Sequence, residues 1–110
     1  MSLFRRAARV FVRERLAGIL SETDGGYSFL YDPLHLSDPS ALAVSLTLPK
    51  QAEPFASKTL FPFFDGLIPE GWLLNVVASN WKIDAKDRFG LLLVSCRDCV
   101  GAVSIEEVKP

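Results

Sequence analysis

RVFVRERLAGILSETDGGYSFLY, residues 9–31, has the patterning of a run of β-strands. From Arg9 to Arg13 the apolar side chains alternate, Val10 and Val12 on one side and Phe11 between arginines on the other, which is the period of a half-buried strand. Glu14 and Arg15 make a tight turn, and Leu16 to Ser21 reads as a second strand. Thr23-Asp24-Gly25-Gly26 supplies glycines that accept positive φ, and Tyr27, Phe29 and Tyr31 then alternate with Ser28 and Leu30. Three consecutive antiparallel strands form a meander, and the rest of the chain must pack on it or beside it.

Asp32-Pro33 ends the third strand, and Leu34 to Leu42 reads as an irregular connection with one short helical turn. Val44, Leu46 and Leu48 alternate with Ser45 and Thr47, which predicts a fourth strand closed by Pro49, and Lys50 to Ser57 reads as a loop. LFPFFDGLIPEG, residues 60–71, is too apolar for a free loop and too broken by proline and glycine for a long helix, so a helical turn is expected around Pro62 to Leu67. Pro69 suits an early helix position, where a missing N–H is harmless, and predicts a helix to about Lys82. Asp84 or Asp87 can cap another helix through Phe89, Leu92 and Leu93 to about Ser95, and Gly101 to Val108 returns to strand character. The fold class is α+β: a single small domain over residues 9–110, with a mostly antiparallel sheet and two main helices on one face. Residues 1–8 read as a flexible N-terminal extension.

With 110 residues and 49% of them hydrophobic, the chain can build one core without disulfide or metal. Twelve basic and thirteen acidic side chains leave a net charge of −1, too little to gather nucleic acid over long range. Arg5, Arg6, Arg9, Arg13 and Arg15 do crowd the start, and they read as the wet face of an edge strand rather than a phosphate site. No apolar run is long enough to span a membrane and no signal-peptide pattern opens the chain, so a cytoplasmic protein is expected.

Catalytic patterns are sought without success. There is no glycine-rich phosphate cradle opening a helix. Cys96 and Cys99 form a single CxxC, but zinc would need two more ligands, and His35 is the only histidine. The two cysteines therefore read as reduced structural thiols, and no metal or cofactor is expected. His35 lacks a nucleophile partner, and Asp65 and Glu70 read as helix caps rather than as an acid and base pair. No enzymatic activity is expected of this chain alone.

On a helical wheel Leu73, Leu74, Val77 and Trp81 form one stripe, assigned to the core, and Trp72 points away from it. Trp72 is then either a rigid anchor for a partner's pocket or a cover for Phe61, Phe63 or Phe64 of its own domain.

Four runs carry a resemblance: DGGYSFLYDP at 24–33, SLTLP at 45–49, FFDGLIPEG at 63–71, and RFGLLL with DCVGAVSI between residues 88 and 105. Together they resemble the N-terminal subdomain of HipA-type serine/threonine kinases, from about Arg9 to Ile105. The kinase's ATP site and catalytic residues lie after this subdomain in that family and have no counterpart here. A chain of this extent is similar to HipS, the small antitoxin of HipBST toxin–antitoxin modules. The resemblance implies that it binds and inhibits a HipT-like serine/threonine kinase toxin in trans, within a ternary complex that includes a HipB-like helix-turn-helix DNA-binding protein. It also admits an activating subunit that completes a split kinase, and less readily a DNA-contacting accessory subunit. If FFDGLIPEGW faces the kinase, Trp72 is the wedge, with Phe64, Asp65, Leu67, Ile68 and Glu70 as pocket filler and polar rim.

Overall fold

Strands β1 (Ala7–Val12) and β2 (Arg15–Thr23) pair antiparallel across a two-residue turn, in a computed structural model that describes residues 6–95 and 102–108. Both turn residues, Arg13 (φ 51°) and Glu14 (φ 69°), sit in the left-handed region, the geometry whose twist matches the flanking strands. A bulge follows at once, because Val10 faces Gly18 while Phe11 faces Leu16. Gly18 is obligatory there: a Cβ would lie 2.3 Å from the Leu30 carbonyl oxygen and 2.9 Å from the Phe29 ring.

β3 (Gly26–Tyr31) completes the meander, and α1 (Pro33–Ser37) follows, capped by Asp32, whose carboxylate accepts the Leu34 N–H at 3.0 Å. β4 (Phe55–Ser57), α2 (Pro62–Asp65), α3 (Gly71–Trp81), α4 (Arg88–Ser95) and β5 (Val103–Val108) come next. The sheet runs β4-β3-β2-β1-β5, antiparallel throughout. This is the expected α+β domain, a five-stranded antiparallel sheet with a few helices.

One face of the sheet carries Ala8, Val10, Leu20, Phe29, Tyr31 and Ile105, all essentially without solvent contact. Against it α4 buries Phe89, Leu91, Leu92 and Leu93, and α2 buries Phe64. Asp87 begins α4 by accepting the Gly90 N–H at 3.1 Å. α3 packs on α4 and ends at Lys82 in the left-handed region (φ 53°).

Several expectations change. β1 lies between β2 and β5, so the arginine-bearing strand is internal rather than an edge, and Arg9 on its open face pairs with Glu106 at 3.1 Å. The folded unit also starts earlier than residue 9. Ala8 is fully buried, and Arg6 binds Glu22 (Nε–Oε1 2.7 Å) and Asp87 (Nη2–Oδ1 2.8 Å) with its guanidinium 5.3 Å from the Phe89 ring centre. Those contacts hold the Glu22 and Asp87 carboxyls below their ordinary pKa and raise that of Arg6.

Val44 to Leu48 is not a strand. Val44 and Leu48 are buried, yet Leu46 between them is fully exposed, because Ser45 and Leu48 close a turn through a 3.1 Å backbone hydrogen bond. The buried Tyr31 hydroxyl fastens both feet of that turn, accepting the Val44 N–H at 2.9 Å and donating to the Leu48 carbonyl. His35 bonds the Leu42 carbonyl at 2.6 Å, and Lys50 donates to the carbonyls of Asp38 and Ala41, each at 2.9 Å. The fourth strand falls instead at Phe55–Ser57, inside the segment expected to be a loop.

Candidate functional site

Residues 61–72 take in α2, the connection that follows it and the start of α3. Pro62 sits at the start of α2, and Gly66 ends it by donating its N–H to the Pro62 carbonyl at 2.9 Å. This turn drives Phe64 into the core, where its ring meets Phe29, Phe61 and Phe63 at centroid distances of 5.6, 6.2 and 5.3 Å. Ile68 is buried behind it and Leu67 packs half-buried on the same core. Phe64 and Ile68 therefore fill this chain's own interior and offer a partner no surface, which corrects their assignment as pocket filler.

Asp65 is engaged within the fold as well. Its Oδ1 accepts from Arg88 Nε at 2.7 Å, tying α2 to α4 and raising the Arg88 pKa. Glu70 is exposed and precedes α3 without capping it through its side chain. Pro69 stands just outside the helix rather than within its first turn. Gly71 takes the left-handed φ of 62°, a turn that any β-carbon would strain, and it aims the first side chain of α3 outward.

That first side chain is Trp72, 76% exposed. The Phe61 and Phe63 rings close on Phe64 instead, so the indole is not laid over the domain's own phenylalanines. Val76, 42% exposed, lies four positions after Trp72 and three after Leu73, itself 45% exposed, and so joins the two into one outward patch. Leu74, Val77 and Ala78 face inward. The expected stripe is thus half right: Leu74 and Val77 pack on the core, while Leu73 and Trp81 are about half exposed. The signal for Leu73 was available in the sequence, since α3 carries more apolar residues than one helix face can bury against α4.

The arrangement presents a rigid aromatic and aliphatic patch, suited to protein contact. Among the described residues no cluster of three or more His, Cys, Asp or Glu stands ready to hold a metal ion. Cys96 and Cys99 lie outside the described residues. Among the described residues no helix is long and apolar enough to cross a membrane.

Comparison with known proteins places the chain. The family model for the HipA N-terminal domain matches residues 8–106. A solved structure of the N-terminal domain of HipA toxin superposes with a TM-score of 0.74 at 34% identity, covering 99% of this chain and 98% of the other. An uncharacterized protein of Haemophilus influenzae is 39% identical over 104 residues, 94% of each chain. Y4mE, a candidate kinase of Sinorhizobium fredii, is 33% identical over 108 residues, but the match spans only 26% of its length. The family-model match over residues 8–106 and the superposition over 99% of the chain agree: this chain belongs to the HipA N-terminal domain family.

Proposed function

We propose that this chain is a non-catalytic docking protein that binds a HipA-type serine/threonine kinase and holds it inactive, as the antitoxin of a toxin–antitoxin module. Its partner is a HipT-like kinase that lacks this subdomain, and a HipB-like helix-turn-helix protein joins the complex, so DNA is reached only indirectly. The observation that carries the reading is Trp72, presented to solvent beside Leu73 and Val76 on a helix braced from behind. Such a patch has the composition of an interface centre, an aromatic anchor ringed by aliphatic contacts. Support also comes from Y4mE, where a homologous domain forms about a quarter of a candidate kinase, and from the Haemophilus relative, matched over nearly its whole length. The indole, wedged against a mobile part of the kinase, favours a state that cannot assemble its phosphoryl-transfer site.

Copurification followed by a phosphorylation assay tests this. Adding equimolar chain to the kinase should suppress phosphorylation, and undiminished activity in a saturated complex refutes inhibition. The occurrence of a homologous domain within Y4mE also favours a second reading, completion of a split kinase, and that reading predicts stimulation in the same assay.

A further inference from the structure

β5 is the last strand of the sheet, and its pairing fixes which backbone groups face outward. One step beyond the Val12–Val103 pair, the Arg13 N–H donates to the Ala102 carbonyl at 2.7 Å. Hydrogen-bonded and non-hydrogen-bonded pairs alternate along an antiparallel ladder, so Ser104, Glu106 and Val108 direct their N–H and C=O groups to β1. Val103, Ile105 and Glu107 therefore turn theirs to the outer edge, which no strand among the described residues covers. Beside that edge runs a cleft of about 740 Å³, walled by Trp81, Leu93 and Val94 and rimmed by Glu106 and Glu107. Trp81 is 51% exposed there. Arg9 reaches the same cleft but already pairs with Glu106 at 3.1 Å, so the rim carries an excess of negative charge.

We propose that the β5 edge is a second docking surface, taking an extended, lysine- or arginine-bearing segment of a partner protein as a sixth strand. Backbone hydrogen bonds to Val103, Ile105 and Glu107 hold the segment; on the helix face a cationic side chain meets Glu107, which pairs with the buried Ala8, and an apolar side chain two positions along the segment rests on Trp81 and Leu93. Charge selects this occupant over a second copy of the chain. Pairing two β5 edges brings Glu106 and Glu107 of both copies together against only the two Arg9 side chains, and like charges across a ladder are unfavourable. The surface stands apart from the Trp72 patch, and its test does not depend on a kinase.

The test uses the full chain and two fluorescein-labelled peptides followed by anisotropy, a lysine peptide repeating Lys-Thr-Val-Thr and a glutamate peptide repeating Glu-Thr-Val-Thr, so that the charged and apolar side chains share one face of the added strand. The lysine peptide should bind about tenfold more tightly at low salt, and the preference should shrink at high salt. On binding, amide hydrogen exchange should slow at Val103, Ile105 and Glu107, while Ser104 and Glu106, already bonded to β1, should change little. Glu107→Pro removes an outward-facing N–H, which an edge strand tolerates, and should abolish peptide binding with the fold intact. Should that variant not fold, Glu107→Lys serves in its place and should reduce or reverse the preference between the two peptides. Equal binding of both peptides, or unchanged exchange at the outward amides, overturns the proposal. So does a dimer seen by light scattering that Glu107→Pro or Glu107→Lys dissolves, since the edge would then belong to a second copy.

Discussion

Trp72→Ala separates folding from docking, because the side chain contributes little to the one and much to the other. A tryptophan side chain offers on the order of 200 Å², and with 76% of Trp72 exposed about 150 Å² of that remains for a partner to cover. At about 25 cal/mol per Å² complete coverage is worth about 4 kcal/mol. Immobilisation and imperfect packing reduce this to about 2–3 kcal/mol, an affinity loss of about 30- to 150-fold. Thermal unfolding of the free variant should match the parent within about 0.5 kcal/mol, as for an exposed site with few internal contacts. Titration calorimetry against the copurified kinase supplies the first number and differential scanning calorimetry the second. Unchanged affinity removes Trp72 from the interface; a large loss of thermal stability refutes the claim that the indole stands free of the core.

Phe64→Ala should behave in the opposite way, costing about 3–5 kcal/mol of folding stability in a urea melt, because the ring is fully buried among Phe29, Phe61 and Phe63. Arg6→Ala should cost about 1 kcal/mol at neutral pH, a figure discounted for a pair about one-third exposed. The same variant should flatten acid unfolding. Arg6 depresses the Glu22 and Asp87 pKa values in the folded state, so their contribution is complete above the ordinary 4.5 and 3.8 and disappears as pH falls through the lowered values. Tyr31→Phe should cost about 1–3 kcal/mol and speed hydrogen exchange at Val44, since that amide and the Leu48 carbonyl lose their shared buried hydroxyl.

The meander was legible because residues 9–31 obey a period of two and their turns need only local rules. What the sequence misstates is set by distant partners. Val44, Leu46 and Leu48 have strand spacing, but the Tyr31 hydroxyl captures the backbone on both sides of Leu46 and folds the run into a turn. Phe55–Ser57 is three residues behind a proline, too short to carry a pattern, and it pairs only because β3 offers an edge. Trp72 was identifiable as off the inward stripe, since wheel geometry is local. The burial of Phe64 and Ile68 was not, because Pro62 and Gly66 bend the segment in a way that spacing alone does not encode. Trp81, the last residue of α3, is 51% exposed, so a position on the apolar stripe does not guarantee full cover.

The place of β1 between β2 and β5 bears on how the molecule is born. As the chain leaves the ribosome, the first three strands can join by short loops, but β1 keeps one side bare until residues 103–108 arrive to flank it. Until then that side bares the backbone groups of Ala7, Arg9 and Phe11, and arginines along a bare strand edge oppose its pairing with a neighbouring chain.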